Sequence, residues 1–313
     1  MRILLTGSSG FIGKNLVEMF KTDGYDVLSP DVCDLDLRDQ NAVKTYLSNN
    51  PVHAIIHSAT TLRQGTGYPV DVCENNLRMF FNLEQYRQPG TKLINFGSGS
   101  EYSRPYWHEK MEETFFGEHI PADSHSYSKY IISRYIETCN DPTLICLRIF
   151  GIYGKYEDHR YKFISNAIAK NLLKMPIIIN QNVSYDYIYI NDFYQIVKYF
   201  LEHKPLYPAY NATPCTPIDL VSIAEIINTI SDYKSDIHVL NDGIGVHYSG
   251  NNQRLVNELK NYQIMEHADA IRDLFQYYQS RIPELDKEAL EKDEFLNYAK
   301  SLRKNYFKPT DKA

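Results

Sequence analysis

Thr6-Gly7-Ser8-Ser9-Gly10-Phe11-Ile12-Gly13 is the stretch whose reading decides the fold. It follows a short apolar run, Arg2-Ile3-Leu4-Leu5, that reads as a buried strand. It leads into Leu16, Val17, Met19 and Phe20, which share one helical face closed by Gly24. Spaced glycines alone are weak evidence, but between a strand and a helix they are strong. Gly7 can take the tight turn, Gly10 clears a side chain where a pyrophosphate would approach the backbone, and Gly13 lets the helix lie close to the strand. The helix start, with Phe11 and Ile12, would offer unpaired N–H groups and a positive dipole end to phosphates. The stretch predicts a Rossmann-type site for NAD or NADP.

Outward from this turn, strands and helices alternate. Strands are expected over 25–28, 54–57, 92–96 and 143–148, and helices over 41–47, 72–85 and 127–138. That order predicts an α/β fold with a doubly wound parallel sheet covered on both faces. Residues 1–150 form the expected dinucleotide-binding domain. Residues 151–313 form a smaller mixed α/β substrate-binding lobe with a helical C-terminal tail, and elements near 183–210 return to the first domain. Helices are expected over 163–173, up to about 201 and over 218–230, with strands over 176–179 and 185–190.

Composition narrows the function classes. A net charge of −6 over 313 residues offers no basic field for nucleic acid. The cysteines, Cys33, Cys73, Cys139, Cys146 and Cys215, are odd in number and form no C-x-x-C pair, so neither a disulfide framework nor a metal site is signalled. No apolar run approaches the roughly 18 residues of a membrane span, and Met1-Arg2 leads at once into the first strand rather than a secretory signal. A cytoplasmic protein is expected. Asp31, after the second strand, stands where a carboxylate would accept hydrogen bonds from the adenosine ribose, and no Arg or Lys occupies positions 29–33. NAD is favoured over NADP. The other reading is that Asp31 only opens a turn after Pro30.

Further motifs follow in order: Asp36-Leu37-Arg38-Asp39, Ile56-His57-Ser58-Ala59-Thr60, Asn75-Asn76, Asn95-Phe96-Gly97-Ser98-Gly99-Ser100-Glu101-Tyr102, Ser128-Lys129, Leu147-Arg148-Ile149-Phe150-Gly151-Ile152-Tyr153-Gly154 and Asp186-Tyr187-Ile188-Tyr189-Ile190-Asn191-Asp192. With the glycine turn, this ordered set resembles the extended short-chain dehydrogenase/reductase family, in particular its nucleotide-sugar epimerases and reductases. The resemblance runs to about residue 230. It implies that Asp36 and Leu37 border the adenine, and that Ser58, Ala59, Thr60 and Asn76 line the cofactor behind the third strand. Ile149 and Phe150 fall in the same set of cofactor neighbours. Ser98 takes the place of the family's catalytic Ser/Thr, and Lys129 that of the lysine that binds the nicotinamide ribose and tunes the catalytic tyrosine.

The tyrosine itself is missing. The family signature is Y-x-x-x-K on one helix face, and four residues before Lys129 stands His125. Tyr127 is only two residues from the lysine and should point away. Three readings remain open: His125 is the acid/base, since an imidazole titrates near neutrality; His125 is a spectator while another group or water supplies the proton; or catalysis is lost and the dinucleotide is kept as a ligand. Other departures are Gly151 and Tyr185, where many relatives carry an Asn and an Arg for the substrate. Arg63, Arg160 and Lys162 are candidate replacement cations, and His159 a candidate substrate contact. Gly99-Ser100 replaces the Asp-Glu pair of the dehydratases, and Ser100 stands where a fucose synthase has cysteine. The resemblance implies an NAD(P)-dependent nucleotide-sugar oxidoreductase, most simply a ketosugar reductase using Ser98, His125 and Lys129. A 4-epimerase is the alternative. It also implies a homodimer.

Overall fold

The computed structural model describes residues 1–64, 67–260 and 262–306. The first half runs β1 (Arg2–Thr6), α1 (Phe11–Thr22), β2 (Asp26–Leu28), α2 (Gln40–Asn49), β3 (Ala54–His57), α3 (Val72–Tyr86), β4 (Lys92–Ser98), α4 (Ser124–Thr138) and β5 (Leu144–Ile149). Then come β6 (Gly151–Tyr153), α5 (Phe163–Leu172), β7 (Ile177–Tyr185), β8 (Tyr187–Tyr189), α6 (Ile190–Glu202) and β9 (Ala209–Ala212). The last part holds β10 (Ile218–Asp219), α7 (Leu220–Ile230), β11 (Ile237–Tyr248), α8 (Gln253–Glu258), α9 (His267–Gln279), α10 (Lys287–Lys292) and α11 (Glu294–Tyr306).

Six strands form one parallel sheet in the order β2-β1-β3-β4-β5-β9. The chain leaves β1 on one side for β2 and returns on the other at β3, so the C-terminal ends of β1 and β3 flank a topological switch point. Period-two alternation explains why the strands read as unbroken apolar runs. Ile3 and Leu5 enter one core layer with Ile56, Ile94 and Leu147, while Leu4 enters the opposite layer with Ile55, Leu93 and Leu144. A second sheet, β10-β7-β11, is mixed, and β6 and β8 form a parallel pair.

Element edges differ from the sequence expectation for local reasons. α4 begins at Ser124, three residues earlier than expected, because the Asp123 carboxylate accepts from the Ser126 amide at 2.9 Å and caps it. Ile218-Asp219, expected as helix, pairs with Tyr185 and Ser184 instead. Asp219 then caps α7 by accepting from the Val221 and Ser222 amides. β11 was not expected: Val239, Leu240 and Ile244 on it are exposed, and Gly243 and Gly245 break its pattern where the register slips.

Candidate active site

At the end of β1, Gly7 has φ +70°, and a Cβ there would lie 2.7 Å from the Ala59 amide nitrogen. A Cβ on Gly13 would come within 2.1 Å of the Gly7 carbonyl oxygen, so α1 can approach the strand only without one. Gly10 differs: a Cβ on it would meet only the Gly7 oxygen, at 3.4 Å. Packing does not demand glycine at Gly10, whereas an anion seated against the backbone would. Gly10 is also the N-cap of α1 and supplies no side-chain cap, which leaves the amides of Phe11 and Ile12 available. The turn fits a pyrophosphate.

The adenosine end is more committed to internal bonds. Asp31 Oδ1 accepts from the backbone amides of Cys33 (2.7 Å) and Asp34 (3.1 Å), so this carboxylate does open a turn. Arg38, the nearest cation along the chain, is gripped by Asp36 at 2.8 Å, which holds the Asp36 carboxyl below its ordinary value. Leu37 is mostly buried in the core layer that holds Leu35 and Val43. Behind β3, Ala59 donates its amide to Thr6 Oγ1 at 3.3 Å. Asn76 Oδ1 accepts from the Thr61 amide (2.9 Å) and Thr60 Oγ1 (3.4 Å), and its Nδ2 donates to Ser128 Oγ (3.0 Å). Ser128 Oγ donates to the His125 carbonyl at 2.7 Å, so the Ser58–Thr61 loop is tied through Asn76 to α4.

Ser98 ends β4 and opens a short 3-10 turn in a reciprocal cap. Its Oγ accepts from the Ser100 amide at 3.1 Å, and its own amide donates to Glu101 Oε1 at 2.8 Å. The other Glu101 oxygen pairs with Arg148 on β5. Lys129 comes from α4, is buried, and donates Nζ to the Phe96 carbonyl at 2.8 Å, two residues before Ser98. Burial depresses its pKa, against the pull of Glu101 and Cys146. His125 lies one turn earlier on the same helix and stacks on Tyr68, with ring centroids 4.2 Å apart. Burial, reinforced by the Lys129 charge, pushes its imidazole down to about 3, so it is uncharged at neutral pH. Tyr127 is 40% exposed and points away from this cluster.

Ile149 packs in the core on β5, and Phe150 after it faces an aromatic cluster with Tyr102, Phe116 and Tyr248. Tyr248, at the end of β11, stacks on Trp107 with centroids 3.9 Å apart. Sequence reasoning missed Tyr68, Trp107 and Tyr248, which belong to no motif. Glu101 stands in the Ser98 motif, but its partner Arg148 is 47 residues further on, and no local signal in the sequence joins the two. The glycine at Gly151 has a packing cause, since a Cβ would strike the Tyr187 ring at 2.6 Å. Arg160 is held by Asp158, and His159 Nε2 accepts from the Asp286 amide at 3.0 Å. Arg63 is exposed and lies over the rings of Tyr68 and Tyr298. Lys162 caps α5. Among the described residues no helix is long and apolar enough to cross a membrane.

A parallel sheet with a glycine turn at its switch point and a Ser–Lys pair at the end of β4 defines a Rossmann-type dinucleotide-binding protein. Residues 3–212 match the NAD dependent epimerase/dehydratase family, and the chain belongs to it. It is similar to a GDP-L-colitose synthase of Yersinia pseudotuberculosis, 26% identical over 184 residues that cover 54% of this chain and 60% of that protein. A GDP-L-fucose synthase of Azorhizobium caulinodans is 24% identical over 66% of this chain and 73% of its own length. Among solved structures, a UDP-glucose 4-epimerase of Thermotoga maritima with UDP-glucose superposes with TM-score 0.76 at 16% identity, over 90% of this chain and 100% of that one. A GDP-L-fucose synthetase of Naegleria fowleri bound to NADP gives TM-score 0.77 at 14% identity, over 90% and 93%.

Proposed function

We propose that the chain is an NAD-dependent oxidoreductase of a nucleotide-linked sugar, acting as a ketosugar reductase. The observation that carries this reading is the convergence of Ser98 and Lys129 at the end of β4, where Nζ lies 2.8 Å from the Phe96 carbonyl. The nicotinamide, when bound, supplies or takes the hydride. Ser98 donates a hydrogen bond to the reacting sugar oxygen, and Lys129 holds the ribose. Gly7, Gly10 and Gly13 seat the pyrophosphate. NAD is favoured because Asp31 repels a 2′-phosphate and Asp36 already occupies Arg38. An uncharged His125 against Tyr68 supports its role as a pocket wall rather than as the acid.

The test is mass analysis of any co-purifying nucleotide, then a screen of nucleotide-linked ketosugars with the reduced cofactor, followed near about 340 nm. The expected result is loss of that absorbance in step with product. A new isomer without net absorbance change would replace the reductase with a 4-epimerase. Dinucleotide binding with no conversion of any sugar would overturn the enzymatic reading.

A further inference from the structure

We propose that the Tyr248 hydroxyl, brought to Ser98 by the end of β11, supplies the proton in the reaction. The inference rests on the functional reading given above and names the group that reading leaves open. Tyr248 is 6% exposed, and its hydroxyl lies against Gly99, the residue that follows Ser98. The approach depends on Gly99: a Cβ there would lie 2.8 Å from the Tyr248 hydroxyl oxygen and 2.7 Å from the Phe150 ring. Gly99 therefore leaves open the space through which this phenol reaches the site.

The phenol is also held in place. Its ring lies between Trp107, at 3.9 Å, and Phe150, at 5.0 Å, with Tyr185 edge-on at 5.8 Å. Its carbonyl accepts from the Asp186 amide at 3.0 Å, and the Ser249 carbonyl and Oγ accept from the amides of Met111 (3.0 Å) and Lys110 (2.8 Å). The donor is thus fixed before substrate arrives, which keeps the cost of reaching a reactive geometry low. Burial raises the phenol pKa, opposed by Ser98 and Arg104, so Tyr248 keeps its proton across the neutral range. His125, kept neutral by burial, carries no imidazolium proton to give there.

In the reductive direction the carbonyl π bond breaks. Its carbon gains hydride from the reduced nicotinamide dinucleotide, which is oxidised, and its oxygen gains the Tyr248 proton. The phenolate left behind takes a proton from water after the product departs.

Tyr248→Phe removes one oxygen and keeps the stacked ring, so the fold should persist. Expected is a fall in kcat of about 100-fold or more with dinucleotide affinity within about threefold of wild type. Adding His125→Tyr to Tyr248→Phe should return about tenfold or more of the lost rate by placing a phenol one turn from Lys129. A readout independent of turnover is ultraviolet difference titration. The cationic nicotinamide of the oxidised cofactor should shift one tyrosine ionisation to lower pH in wild type, and this shift should vanish in Tyr248→Phe. Tyr248→Phe with wild-type kcat, or with the titration shift intact, overturns the Tyr248 assignment alone. A wild-type chain that turns over no nucleotide-linked sugar overturns the functional reading and this inference with it.

Discussion

Glu101 and Arg148 form an ion pair at 2.8 Å in which neither side chain is exposed. The pair sits directly under Ser98, because the second Glu101 oxygen accepts the Ser98 amide. Burial pushes the Glu101 carboxyl up while Arg148 pulls it down, and Arg148 keeps a second partner in Glu137 at 2.6 Å.

Glu101→Ala should therefore both destabilise the chain and loosen Ser98. Leaving a buried charge short of its partner costs about 3–5 kcal/mol, reduced here by what Glu137 retains. Glu101→Gln keeps an acceptor for the Ser98 amide and should retain more turnover than Glu101→Ala. Urea denaturation and kcat measured on both variants check this. Equal kcat for the two variants would show that the Ser98 contact does not matter.

Gly10 and Gly13 separate ligand binding from folding. Gly13→Ala forces a Cβ to within 2.1 Å of backbone oxygen, which nothing flexible can relieve, so it should lose about 2 kcal/mol or more of stability. Gly10→Ala meets only a 3.4 Å contact and should stay within about 1 kcal/mol of wild type, the usual scale of an N-cap change. Its dinucleotide affinity should nevertheless fall about tenfold or more, because the methyl fills the phosphate cradle. Calorimetry on both variants measures the two effects separately. Unimpaired NAD binding by Gly10→Ala would remove the pyrophosphate from this turn.

The contrast shows what a sequence carries in plain view. The β1–turn–α1 unit was legible because its alternation, helical face and glycine spacing are all local, and the i,i+4 spacing of His125 and Lys129 already put both on one face of α4. Tyr248 was illegible for the opposite reason. It meets Ser98 only after β11 crosses back beside β7, and β11 itself is masked by Gly243, Gly245 and exposed apolar residues. The long reach of Asn76, from the β3 loop to Ser128, is likewise a product of packing and not of any motif.

Glu157 predicts how stability depends on pH. It is buried on the loop before α5, with the Ser165 hydroxyl donating to it, and burial pushes its carboxyl up to about 7 despite Lys162 nearby. An unfolded carboxyl ionises near its ordinary value, about 4.3. Between those two values the folded state holds the extra proton, so this group's contribution is present at low pH and lost as pH rises through about 7. Asp186 and Asp192, both raised to about 6, act in the same sense, whereas His57 and His125, both lowered to about 3, act in the opposite one. Glu157→Gln keeps the shape and the acceptor for Ser165 but cannot ionise. Relative to wild type it should gain up to about 3 kcal/mol between pH 5 and pH 8, at roughly 1.4 kcal/mol per pH unit. Because the other titrating groups are common to both proteins, the difference between their urea midpoints isolates Glu157. A difference that stays flat across that range would mean that the folded chain holds Glu157 ionised.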